Sequence, residues 1–188
     1  MNILHNVTME QKIDKGNCLL AMPAIGDKYH RSSLVLITDV SDNMVQGVVV
    51  NRATDQYLSR LVDQMNIKPL QGFCDQRIMV GGPLHRDRLY LIYQKETTGV
   101  DPQTICSGEL EDLQFITRSE RPIPYIACIG SCEWTISSLQ QQVKNNDWLV
   151  LPCNTGLLIN ADHAERVSLV LSRLGISMEQ LSSVSGSA

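Results

Sequence analysis

Residues 33–51 read S-L-V-L-I-T-D-V-S-D-N-M-V-Q-G-V-V-V-N. Two β-branched and apolar runs, Ser33–Val40 and Val45–Asn51, flank the cluster Ser41-Asp42-Asn43. Asp and Asn tolerate the backbone angles of a tight turn, and β-branched side chains suit a pleated surface. The stretch therefore predicts a β-hairpin. A hairpin here favours antiparallel pairing over the β-α-β alternation that builds doubly wound parallel sheets.

On the N-terminal side, Asn17–Met22 is a short apolar run stopped by Pro23, which predicts a strand. On the C-terminal side the period changes. Leu58, Leu61, Val62 and Met65 share one helical face within Asp55–Asn66. Arg77–Val80 reads as a strand ended by Gly81-Gly82-Pro83, and Arg88–Tyr93 as another. Glu109–Ile116 carries Leu110, Leu113 and Ile116 at helical steps. Pro124–Gly130 reads as a buried strand. Ser131 is then placed to cap a helix lined by Ile136, Leu139 and Val143, with Cys132 in its first turn. Asp147–Leu151 and Gly156–Asn160 read as two further strands. The last helix carries Val167, Val170, Leu171 and Leu174, between an Asp162/Glu165 pair resembling a capping box and Gly175 at a C-terminal cap. The expected fold is α+β and mostly antiparallel, with about seven or eight strands and four helices.

Length and composition set the frame. The chain has 188 residues, is 43% hydrophobic and carries a net charge of -4. One domain with a sizeable core is expected. Charged residues, at 19%, are too few for a disordered chain. No apolar run approaches the ~20 residues of a membrane span. Six cysteines are too sparse for a disulfide scaffold. Residues 1–16 lack the apolar stretch of a signal peptide and read as a flexible segment, and residues 177–188, rich in Ser and Gly, as a flexible tail. That leaves 17–176 as the domain. Reduced thiols and a cytoplasmic location are the corresponding expectation.

Four segments together resemble the YqgE/AlgH family of bacterial proteins. They are Leu19-Leu20-Ala21-Met22-Pro23 continuing through Tyr29–Leu36, Gln46-Gly47-Val48-Val49-Val50-Asn51-Arg52, Val80-Gly81-Gly82-Pro83-Leu84, and Ile129-Gly130 through Trp134, Leu139 and Asn146-Asp147-Trp148-Leu149. The resemblance implies a single domain with a bent, barrel-like antiparallel sheet flanked by helices. It also implies a cytoplasmic bacterial protein. Some members carry the label of transcriptional regulator, without an established biochemical activity. Ala53 stands where the family usually has proline, and Ser131-Cys132-Glu133 replaces its usual small, aromatic and glycine residues.

The candidate ligand-binding residues are Arg31, Asn51, Arg52, Gly81, Gly82 and Trp134. Arg offers a fixed fork of donors for carboxylate or phosphate, and the glycines permit close backbone approach. Trp134 could stack on a ligand. Against this stands packing: Asn51 closing a turn, the arginines pairing with Asp27 or Asp55, the glycines making a bend. Cys128 and Cys132 are the candidate redox residues, with Cys153 as a third partner. A helix N-terminus at Cys132 would favour its thiolate. Glu133 beside it would oppose that, and Cys128 also reads as a core residue. His30, His85 and His163 are scattered without ligand spacing and read as surface or capping residues.

The chain has no G-x-G-x-x-G, no P-loop, no H-E-x-x-H, no G-x-S-x-G and no C-x-x-C. No cofactor and no metal are expected from it. A basic Arg77–Arg88 stretch could hold an anion, whereas the acidic Glu96–Glu120 stretch would repel one. A pI near 5.5 disfavours direct readout of nucleic acid. The leading expectation is a non-catalytic regulatory or binding protein, acting through a protein partner or a small anionic ligand. The alternative is a thiol-dependent or hydrolytic enzyme using Cys132.

Overall fold

The computed structural model describes residues 12–23, 25–27, 29–70 and 73–176. The expected flexible stretches at 1–11 and 177–188 lie outside them. Residues 12–16 are described, and Gly16 donates its N–H to Ile37 O at 2.9 Å.

Nine strands and five helices follow one another along the described residues. They are β1 (Cys18–Ala21), β2 (Leu34–Val40), β3 (Met44–Val49), β4 (Ala53–Tyr57), α1 (Leu58–Gln64), β5 (Arg77–Val80), β6 (Leu84–Thr97), β7 (Val100–Ser107), α2 (Leu110–Thr117), β8 (Tyr125–Thr135), α3 (Ile136–Lys144), β9 (Trp148–Leu151), α4 (Thr155–Asn160) and α5 (Arg166–Arg173). The strands form a mixed α+β sheet in the order β4-β5-β8-β3-β2-β1-β9, with β7 attached through β6. The β2–β3 hairpin lies where the sequence predicts it, with Val35 opposite Val49 and Leu36 opposite Val48. Pairing is antiparallel throughout except between β5 and β8, which run parallel. The sheet is bent but open rather than a closed barrel. No described helix is long and apolar enough to cross a membrane.

Strand β8 joins the two halves of this sheet. Its first half pairs with β5 and β6, through Ala127, Cys128 and Ile129. Its second half pairs with β3, through Cys132, Glu133, Trp134 and Thr135. Between them lies Gly130 at φ +85, a backbone conformation that side chains strongly disfavour. The bend lets one strand serve two half-sheets, so Ser131 and Cys132 belong to β8 and not to a helix. Helix α3 begins at Ile136 instead. Its cap is Thr135, whose Oγ1 accepts the N–H of Ser138 at 3.2 Å.

Three other elements differ from the sequence reading. Gly156–Asn160 is helical, because Asn154 Oδ1 accepts the N–H of Leu157 and starts a turn. The segment before Leu58 is strand β4, and Leu58 N–H donates to Gln76 O at its end. Strand β7 was not predicted, since V-D-P-Q-T-I-C-S lacks a period. Among the described residues it pairs only with β6, an edge position that tolerates Pro102. At the far end the Gly175 cap forms as expected. Gly175 N–H donates to Ser172 O and Ile176 N–H to Leu171 O, satisfying the last carbonyls of α5. The Asp162/Glu165 pair instead makes a turn, with Asp162 Oδ1 accepting the N–H of Ala164.

Candidate functional site

The glycine-rich turn after β5 lies against the bend of β8. A Cβ on Gly81 would fall 2.3 Å from Gly130 O, and one on Gly82 would fall 2.0 Å from Ser131 O. These glycines let two backbones cross at close range. Asn51 is committed to the same end of the hairpin. Its Oδ1 accepts the N–H of Leu34 at 2.8 Å and its Nδ2 donates to Ser32 O at 2.9 Å. Arg52 donates Nη1 to Tyr29 O, and its guanidinium lies over the Tyr29 ring, 5.2 Å from the centroid. Arg31, between His30 and Ser32, is exposed.

The loop held by Arg52 carries a group of side chains that the sequence reading scattered. His30 is buried, with 8% exposure, rather than on the surface. Its Nδ1 lies 2.5 Å from Asp27 Oδ2 and its Nε2 lies 3.4 Å from Cys132 Sγ. The ring packs edge-on to Trp148 at 5.3 Å and tilted to Trp134 at 5.9 Å. Trp134 is buried in this cluster rather than offered to a ligand. Carboxylate, imidazole and thiol thus stand in line. Burial and the Asp27 carboxylate push the Cys132 thiol up to about 12, while Arg52 pulls the other way. Glu133 does not oppose a thiolate at close range, because alternate strand residues face opposite sides. It bonds Gln46 and His85 instead. Cys128 is fully buried, and burial pushes its thiol far up.

A second assembly lies between β4, β5 and the turn before α5. Tyr57, Asp75, Arg77, Asn160, Asp162, His163 and Arg166 line a cleft of about 370 Å³. Arg166 is 3% exposed. It donates Nε to Leu158 O at 2.9 Å and Nη1 to Val50 O. Desolvation lowers its pKa, with Cys128 and Asp162 acting against that. Among the described residues no carboxylate lies within 4.0 Å of Arg166 or of Arg77. Arg77 bonds the Tyr57 hydroxyl at 3.3 Å and stacks on that ring. Both acids at the cleft are engaged locally. Asp75 accepts the N–H of Ser59, and Asp162 accepts the N–H of Ala164 beside His163. The sequence reading missed Arg166, although a signal existed. It lies four residues before Val170, so a cation interrupts the apolar stripe of the last helix.

These features define a class: a single α+β domain whose two half-sheets share one bent strand, with a guanidinium-lined cleft at one end. The chain matches the AlgH-like family over residues 18–179 and belongs to that family. A UPF0301 protein of Dechloromonas aromatica is 28% identical over 178 residues, covering 92% of this chain and 96% of the relative. A UPF0301 protein of Rhodospirillum rubrum is 29% identical over 180 residues, covering 92% and 93%. The solution structure of the AlgH protein from Pseudomonas aeruginosa superposes with a TM-score of 0.69 at 22% identity, covering 89% of this chain and 92% of that one. A crystal structure from Corynebacterium diphtheriae reaches the same TM-score at 19% identity, covering 96% of both chains. At these identities the two structures bear on the fold alone.

Proposed function

We propose that this protein is a binding module that takes a small ligand with one anionic group in the Arg77–Arg166 cleft. The observation that carries this reading is Arg166: a buried guanidinium that holds two backbone carbonyls and meets no carboxylate within 4.0 Å among the described residues. Burying a cation is costly unless an opposite charge compensates it. A carboxylate or phosphate in the cleft would supply that charge, with Arg77 and His163 beside it. Asp75 and Asp162 at the walls would repel a polyanion, which favours a monoanionic or zwitterionic ligand over nucleic acid. Regulation would then follow occupancy of the cleft.

Inorganic phosphate is the first probe. It should raise the melting temperature above that in sodium chloride of equal ionic strength. Arg77→Ala should weaken the effect at least about tenfold, the scale of losing one charge-assisted contact. Equal melting curves in phosphate and chloride, with no heat on titration, would remove this reading.

The Asp27–His30–Cys132 line favours a second reading, thiol chemistry with His30 as general base. Its test is alkylation by iodoacetamide at pH 7. Labelling of Cys132 well above that of Cys128, lost in His30→Gln, would support it. Equal slow labelling of both buried thiols would exclude it.

A further inference from the structure

The Arg77–Arg166 cleft holds charges of both signs that do not pair with one another. Each of its walls carries one of each. Asp75 and Arg77 come from the start of β5, and Asp162 and Arg166 from the turn that leads into α5. Among the described residues neither guanidinium has a carboxylate within 4.0 Å. Local bonds keep the four groups apart. Asp75 Oδ1 accepts the N–H of Ser59 and Asp162 Oδ1 that of Ala164, both at 2.9 Å. Arg77 is drawn to the Tyr57 hydroxyl, and Arg166 to Leu158 O and Val50 O.

These bonds leave half of each group unused. The second oxygen of Asp75 and of Asp162 has no partner among the described residues, and neither have the two Nη groups of Arg77. His163 Nδ1 lies 3.3 Å from Asp162 Oδ1, so Oδ2 stays open. Arg166 is the informative case. Its Nη2 makes no hydrogen bond to the described residues, yet the sealed side-chain atoms without a partner among them are Ser33 Oγ and Ser131 Oγ. A side chain that is only 3% exposed therefore turns one free N–H group into the cleft it lines. Met79, Ile159 and Ala161 add apolar lining, the first two almost fully buried.

A simple anion would satisfy the guanidinium groups but bring a like charge towards two carboxylates, and a simple cation would do the reverse. Complementary placement of charge disfavours both and favours a molecule that carries the two charges together. We propose that the cleft takes a free amino acid with an aliphatic side chain. Its carboxylate lies on Arg166 and Arg77, its ammonium on Asp75 and Asp162, and its side chain against Met79 and Ile159. The volume of about 370 Å³ falls in the lower part of the ~300–1,000 Å³ that small-ligand pockets span. This inference rests on the reading of the cleft as an anion site and adds the cation that its ligand must carry.

The test is calorimetric titration of the full chain at pH 7 with leucine, N-acetylleucine, leucinamide and inorganic phosphate. N-acetylleucine keeps the carboxylate without the ammonium, and leucinamide keeps the ammonium without the carboxylate. Leucine should bind, and each of the two derivatives should bind at least about tenfold more weakly, the scale of one charge-assisted contact. Asp162→Asn keeps the acceptor for the Ala164 N–H but removes the charge. It should weaken leucine by a similar factor and leave N-acetylleucine unchanged. Phosphate binding without leucine binding, or leucine and N-acetylleucine binding equally, would overturn this inference and leave the anion site standing. No heat with any of the four would remove both. The comparison of ligands on the unaltered protein needs no variant to be read.

Discussion

Gly82→Ala is expected to abolish or nearly abolish the native fold. The added Cβ would lie 2.0 Å from both C and O of Ser131 and 2.7 Å from Cys132 N. These are backbone atoms in the strand that joins the half-sheets, so no side-chain rotation relieves the overlap. Either the turn after β5 lifts away from β8, or the bend at Gly130 opens. Gly130 is also tight, since a Cβ there would meet Gly82 O at 2.5 Å. Overpacking that forces backbone shifts costs ~1–3 kcal/mol, and a clash at a strand crossing should exceed roughly 4 kcal/mol. Whole domains are stable by only about 5–15 kcal/mol. The variant should therefore show an early, broadened denaturant transition, or no soluble folded protein. Gly26→Ala is the control: nothing lies within 4 Å of its added Cβ, and it should unfold like the parent. A Gly82→Ala protein with the parent's denaturation midpoint would mean that β8 does not cross this turn as described.

Arg166→Met should be the next most damaging change. Methionine keeps the length and apolar stem of the side chain but removes both donors. Val50 O then loses its bond at the end of the central hairpin, and Leu158 O keeps only a weaker contact from Ala161 at 3.3 Å. Leaving a buried carbonyl bare costs about 1–3 kcal/mol, partly offset because a buried charge is also removed. A net loss of about 1–2 kcal/mol is expected, or a fall in Tm of roughly 2–8 °C for a domain of this size. Circular dichroism melts would check it. Unchanged stability would mean that the guanidinium is not holding α4 and α5 onto the hairpin. Arg77→Ala, at an exposed position, separates this structural effect from ligand binding.

Much of the fold was legible because local rules carried it. The β2–β3 hairpin followed from two β-branched runs around an Asp-Asn turn, and the end of α5 followed from Gly175. The misreadings have equally local causes. Gly-Leu-Leu-Ile is too short for its period to separate a buried strand from one helical turn, and Asn154 decided the matter as a cap. Strand β7 is polar and contains Pro102, so only its partner β6 makes it a strand. Ser131 looked like a helix cap because Gly130 looked like a strand end, whereas Gly130 is a bend within β8.

The candidate site was less legible. Asn51, Arg52, Gly81, Gly82, Trp134 and Cys132 do gather in one region. There the glycines serve a backbone crossing, Asn51 stitches the hairpin, and Trp134 packs on His30 and Trp148. The local reading of Cys132 relied on a helix N-terminus. In the folded chain β3 pairing buries it, and its thiol rises instead of falling.

By itself the sequence determined the class of domain, the central hairpin, the helical faces and the family. The first three rest on spacing between near neighbours, the family on the resemblance of four segments along the chain. The tertiary structure alone decided which distant groups face one another. His30 reaches Cys132 across 102 positions, and Arg166 reaches Val50 across 116. Cys18 meets Leu151 only because β1 and β9 lie side by side. Such contacts leave no period in the chain. They arise when pairing closes a long loop and burial in a common core sets the charge, acidity and reach of each group.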